Sequence, residues 1–259
     1  MAHTETTAAG HVLDIRITRP EKLNALSLEM YAELALALGR LDRDPDLRVG
    51  LIHADGKHFT AGIELDKWAP VFAAGKWAAA PDGGLDPFAL VGPRCTKPVV
   101  IAVQGYCFTW GVEILLTTDV RVAAEDAQFA MLEVKRGIYP CGGATLRLPQ
   151  QMGWANAQRY LLTGERWSAA EAYRTGLVQE VVPAGQQYEA AQKIAAGIAA
   201  AAPLGVKAIL KSARLARSAG EARAAGQLFD DMPAVMGSAD AHEGVQSFLE
   251  RRDAVFTGR

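Results

Sequence analysis

Pro98-Val-Val-Ile-Ala-Val103 runs straight into Gln104-Gly105-Tyr106-Cys107-Phe108-Thr109-Trp110-Gly111-Val112-Glu113-Ile114-Leu115. A short unbroken apolar run bounded by turn residues reads as a buried strand, and the glycine-containing turn after it leads into a helix that starts near Gly111. A buried strand that passes through a glycine turn into a helix is the repeating unit of an α/β fold. Glu113 then lies in the first helical turn, where the macrodipole favours a carboxylate and several backbone N–H groups lack intrahelical partners. Such N–H groups bind anions, including an oxyanion that develops during a reaction.

Twenty positions on, Glu133 in AQFAMLEVKRGIYPCGG (127–143) follows a similar strand-to-turn junction. Two neighbouring, desolvated carboxylates are driven to different pKa values, so that one holds a proton while the other takes one. The plain alternative is two solvated surface glutamates. Upstream, the strand 49–53 leads into Asp55-Gly-Lys-His-Phe59-Thr60-Ala61-Gly62-Ile63-Glu64-Leu65, a second strand-to-helix junction with a small pair at its bend and a second set of backbone donors.

The same unit recurs along the chain. Residues 11–17 alternate as a half-buried strand does, and Ser27 caps a helix with Met30, Leu34, Leu38 and Leu41 on one face. Ser168-Ala-Ala-Glu171 is a capping box and Gly176 a C-cap, which predicts a short helix over 169–175 and a strand over 177–182. After Pro183 the chain becomes alanine-rich helix, over 186–201, 204–218, 221–236 and 240–252, with no strand pattern.

The composition is that of an ordinary globular protein: 259 residues, 50% hydrophobic and 22% charged, with a net charge of -2. That balance, without a basic stripe, argues against a nucleic-acid partner. Cys95, Cys107 and Cys141 have no metal-ligand spacing and read as reduced packing residues. The five histidines show no ligand spacing either, so no metal is assigned. The polar MAHTETTAAG and the lack of any run near the ~18 apolar residues of a membrane span predict a cytoplasmic protein with no membrane partner. Walker A, GxSxG and GxGxxG motifs are all missing from the chain.

Six segments in order, RPEKLNALS (19–27), FTAGIEL (59–65), KPVVIAVQGY (97–106), GIYPCGGATLRL (137–148), LLTGERWSAAEAYRTGLVQEVVP (161–183) and EGVQSFLERRDAVFTGR (243–259), resemble the crotonase, or enoyl-CoA hydratase/isomerase, superfamily. The resemblance spans nearly the whole chain. It implies a spiral of repeated strand-strand-helix units over 1–185 carrying a CoA thioester site. It also implies a C-terminal helical region, 186–259, that packs subunits into a homotrimer or homohexamer; a helical cap on a monomer is the alternative. Coenzyme A enters as part of the substrate, and no cofactor is expected.

Residue by residue, the resemblance gives Glu113 and Glu133 as the catalytic pair, Glu113 to activate water and Glu133 to protonate Cα. The oxyanion hole is expected from the N–H groups of Ala61 and Trp110. Trp110 departs from the small residues usual at that position. Its indole either lines the acyl pocket or fills a core gap. CoA is expected along Phe59, Ala61, Ile63 and Leu65, with Lys22, or Arg251 and Arg252 of a neighbouring subunit, near the phosphates, and with Gly142 and Gly143 close to the thioester. The irregular stretch 66–96, with Trp68, Phe72, Trp77, Phe88 and Leu90, is either a mobile wall of the acyl pocket or a loop packed on the core. Two glutamates favour hydration of an α,β-enoyl-CoA to a 3-hydroxyacyl-CoA, as in fatty acid metabolism. An enoyl-CoA isomerase, a hydrolase, a decarboxylase and a non-catalytic acyl-CoA-binding oligomer stay open, because fold does not fix function.

Overall fold

A strand that the sequence does not announce opens the computed structural model, which describes residues 3–259. β1 (Thr4–Ala9) pairs antiparallel with β2 (Val12–Ile17), from Thr4 opposite Ile17 to Ala9 opposite Val12. It is a mostly exposed edge strand, so it carries no apolar alternation to read. β2 does, with Leu13, Ile15 and Ile17 fully buried. It begins at Val12, because His11 belongs to the hairpin turn with Gly10.

The Ser27 hydroxyl accepts the Met30 N–H and starts α1 (Leu28–Arg43), which buries Met30, Leu34, Leu38 and Leu41 as their spacing requires. β3 (Val49–Ala54) and α2 (Leu65–Ala73) follow. Then come β4 (Val99–Val103), β5 (Tyr106–Phe108) and α3 (Trp110–Leu115), which starts one residue ahead of Gly111. β6 (Val120–Ala124) and β7 (Gln128–Ala130) repeat the pair of strands and lead to a 3-10 turn over Glu133–Arg136. α4 (Ala144–Met152), α5 (Trp154–Thr163), β8 (Arg166–Ser168), α6 (Ala169–Arg174) and β9 (Glu180–Val182) complete the α/β part.

The large sheet runs in the order β1-β2-β3-β4-β6-β9, parallel from β2 onward, and the small sheet runs β5-β7-β8. Twice the chain visits the large sheet, then the small one, then a helical segment. β4-β5-α3 is one such unit, and β6-β7 with the turn before α4 is the next. The strand expected over 177–182 is shorter. Leu177 N–H bonds Ala172 C=O at 2.8 Å beside Gly176 with φ 76, a C-terminal cap that draws Leu177 and Val178 out of the ladder.

The stretch 66–96 packs on the core. Trp68 (1% exposed) stands 5.7 Å from Tyr31 and 5.8 Å from Trp77, and Trp77 meets Phe88 edge-on at 5.2 Å. Asp86 ties this cluster down by accepting bonds from Tyr31 Oη, Trp77 Nε1 and the N–H groups of Phe88, Leu90 and Val91.

α7 (Gln187–Ala200) lies across β3, β4 and β6. Ala191, Ala195 and Ala199, one per turn, meet Val49, Leu51, Val100, Ala102 and Val122. The helical segment from 186 onward thus begins with a helix of the core. α8 (Pro203–Ala219), α9 (Glu221–Met236) and α10 (Ala239–Glu250) stand outside it. Arg214 fastens α8 to the body, donating to Cys95 C=O at 2.6 Å and pairing with Asp119 at 3.0 Å.

Candidate active site

The first donor is set by the segment 19–26. Asn24 Nδ2 donates to the carbonyls of Asp55 and His58, both at 2.9 Å, and its Oδ1 accepts Arg19 N–H at 3.0 Å. The Arg19 guanidinium in turn pairs with Glu64 at 2.7 Å. These bonds lay residues 23–26 beside 60–64. Ala61 N–H donates to Leu23 C=O at 3.0 Å, Leu26 N–H to Gly62 C=O at 2.9 Å, and Glu64 N–H to Leu26 C=O at 3.0 Å. In a parallel pairing of this kind the residue between two bonded ones turns its N–H to the opposite side. Ala61 N–H is consequently used inside the fold, whereas Ile63 N–H has no hydrogen-bond partner among the described residues.

The second donor faces it from the turn before α3. Thr109 has φ 50 and ψ -111, a left-handed conformation that strains a β-branched residue. Its N–H bonds Ala130 C=O, and its own C=O accepts both Val112 and Glu113 N–H. Trp110 N–H, at the start of the helix, has no partner among the described residues. The two turns touch: a Cβ on Gly62 would come 3.1 Å from Thr109 Oγ1, and one on Gly111 would come 2.5 Å from Thr60 Cγ2. The Trp110 indole is 1% exposed and lies 5.9 Å from the Phe59 ring, inside the main core. It fills space beneath the turn.

Both glutamates are buried, Glu113 at 5% and Glu133 at 9% exposure. Ala144 N–H, at the start of α4, donates to Glu113 Oε1 at 3.1 Å. Glu133 Oε2 has no hydrogen-bond partner. Burial, and then the charge of Glu133, push Glu113 up to about 8, while burial pushes Glu133 up to about 7. A pair of this kind shares about one proton near neutrality, and its members titrate together. Deeper burial favours the proton on Glu113, and the donated bonds pull it toward Glu133. Backbone N–H groups favour ionised Glu113, and an orphaned oxygen on Glu133 favours its protonated form. Gly142 shapes the site: a Cβ there would fall 2.3 Å from Glu113 Oε2 and 2.9 Å from Phe88 Cδ1. Gly143, with φ 104, precedes α4 as its N-cap.

Phe59 is wholly buried, Ala61 and Ile63 are half-buried, and Leu65 is 40% exposed, so the 59–65 strip passes from core to surface. Lys22 is exposed and unpaired among the described residues. Arg252 is held within its own chain by Glu243 and Glu250, and Arg251 ends α10 with φ 55. No three His, Cys, Asp or Glu side chains converge as a metal site among the described residues. Sequence reasoning missed the free Ile63 N–H, the contact of the Phe88 ring with Gly142, and Arg147. The first depends on which neighbour consumes which N–H, and the other two reach the site from the loop 86–91 and from α4.

The model of the family "Enoyl-CoA hydratase/isomerase" matches residues 7–259. The chain is 39% identical over 254 residues to enoyl-CoA hydratase EchA19 of Mycobacterium tuberculosis, covering 96% of this chain and 94% of that protein. It is 35% identical over 262 residues to carnitinyl-CoA dehydratase of Salmonella heidelberg, covering 98% and 97%. The crystal structure of a probable enoyl-CoA hydratase/isomerase from Mycobacterium abscessus superposes with a TM-score of 0.96 at 45% identity, covering 99% of both chains.

Proposed function

Since the chain belongs to the enoyl-CoA hydratase/isomerase family, we propose that it adds water across the α,β double bond of an enoyl-CoA thioester, giving a 3-hydroxyacyl-CoA. The observation that carries this reading is the pair of buried glutamates, one fixed by a backbone donor and one with a free oxygen, beside two unpartnered N–H groups. The thioester oxygen sits between Ile63 and Trp110 N–H. Negative charge that builds on it as an enolate is stabilised there by about 3 kcal/mol per donor. Glu113 takes a proton from water as the water oxygen bonds to Cβ, and Glu133 gives its proton to Cα. The pair ends with the proton count it started with, which suits two carboxyls sharing one proton. CoA lies along 59–65, with Lys22 toward its phosphates.

Similarity to both a hydratase and a dehydratase favours gain or loss of water over movement of a double bond, which needs a single carboxylate. The test is turnover of Glu113→Gln and Glu133→Gln on a panel of enoyl-CoA thioesters. Each should fall by at least about a hundredfold, with folding intact. A near-wild-type Glu113→Gln beside a dead Glu133→Gln would assign the site to a one-carboxylate isomerase. For assembly, we propose a homotrimer or homohexamer packed through the helices of 186–259 that lie outside the core. The support is the exposure of Ile209, Phe229, Met236, Phe248 and Leu249 on α8, α9 and α10.

A further inference from the structure

Arg147 projects from α4 with its guanidinium between two turns. Nη1 donates to Gly142 C=O at 3.2 Å and Nη2 to Ala89 C=O at 3.0 Å. Both turns flank Glu113. The first carries Gly142, against which the Glu113 carboxylate packs, and Ala144, which donates to it. The second carries Phe88, whose ring lies against Gly142, and Ala89, which is held at φ 47. No carboxylate stands within ion-pair distance of Arg147 among the described residues. Burial holds this guanidinium below its ordinary value, and the repulsion of Arg217 adds to that, while Glu113 and Asp86 favour its charge.

We propose that Arg147 is a positioning residue for the reaction: it staples the 86–91 turn to the 142–144 turn and so fixes the orientation of the Glu113 carboxylate. The inference rests on the hydratase reading for its kinetic consequence, though not for its electrostatic one. The groups that face Glu113 are Glu133 from the 3-10 turn, Cys141 from the loop before α4, and Arg147. Arg147 is the one cation among them, so its loss leaves Glu113 with backbone donors and no facing positive charge, and ionisation of Glu113 then requires a higher pH.

The experiment compares Arg147→Met and Arg147→Lys with wild type in two measurements. One is the pH profile of kcat and kcat/KM on an enoyl-CoA. The other is an infrared titration of the Glu113 carboxyl in the substrate-free protein, identified by its loss in Glu113→Gln. In Arg147→Met, kcat should drop roughly tenfold to a hundredfold with KM within about twofold, as small misplacements of a reacting group do. The acid limb and the infrared midpoint should both move up by roughly one pH unit. Arg147→Lys should restore the midpoint but not the full kcat, because an ammonium cannot span both carbonyls in a fixed fork. Should Arg147→Met fail to fold, Arg147→Gln carries the same readouts. Unchanged midpoint and kcat, or a lower melting temperature with both unchanged, would overturn the proposal. If wild type hydrates no enoyl-CoA, the hydratase reading fails, and the infrared midpoint still decides the role of Arg147.

Discussion

At the scale of single residues the site costs the fold stability, and the sign of that cost is testable. Glu113 is ionised in the unfolded chain above about 4.5, but in the folded protein only above about 8. The folded state therefore holds the extra proton between those values, and stability falls as pH rises through that window. A shift of this size is on the order of a few kcal/mol. Glu113→Gln, which keeps the shape and never ionises, should melt several degrees above wild type at pH 9, with the difference closing by pH 5. Melting curves at pH 5, 7 and 9 measure it, and a gap that does not vary with pH would refute the assignment of the burden to Glu113. The placement of this carboxylate was legible in the sequence, because it follows a strand, a turn and a helix start. The unpartnered N–H of the 59–65 junction was legible only to within two residues. Leu23 C=O takes the Ala61 N–H while the Ile63 N–H is left without a partner among the described residues, a difference decided by the pairing with Leu23 and Leu26, far earlier in the chain.

At the scale of elements, α3 shows how an apolar run can be read correctly while the direction of a side chain on it stays open. Glycine turn, helix start and Glu113 all fall where expected, and the indole of Trp110, open in the sequence to a pocket or a core role, is buried in the core against Phe59. Trp110→Ala should cost about 3–5 kcal/mol, as large aromatic truncations do. It should lower kcat/KM for short and long enoyl-CoA substrates alike. A selective gain on long acyl chains with an unchanged melting temperature would return the indole to the acyl pocket. Elements with strong signals, such as α1 with its Ser27 cap and β4 with its apolar run, appear where the sequence places them. β1 was invisible because an exposed edge strand has no buried face to record, and β9 came out short because a helix cap consumed its first residues.

At the scale of the whole molecule, apolar side chains on the outer helices stand in solvent, with Phe248 81% and Phe229 74% exposed. A second exposed set, Leu146, Trp154 and Leu162, lies on α4 and α5. Light scattering after size exclusion should give a trimer or hexamer, and a stable, active species of monomer mass would show that these helices remain uncovered. No single helix among the described residues is long and apolar enough to cross a membrane. The chain also closes on itself over long separations: Arg48 donates to Ala199 C=O and to Phe256 C=O, near the far end of the sequence. α7, which supplies the alanine layer over β3, β4 and β6, carries a temporal consequence. The ribosome delivers the last of those three strands at Ala124 and the end of α7 at Ala200. At about 5–20 residues per second, a valine-rich sheet face waits bare for roughly 4–15 s on every nascent chain. Synthesis of this protein thus includes a fixed interval of stickiness, whose length is set by translation speed rather than by the strength of any contact in the finished fold.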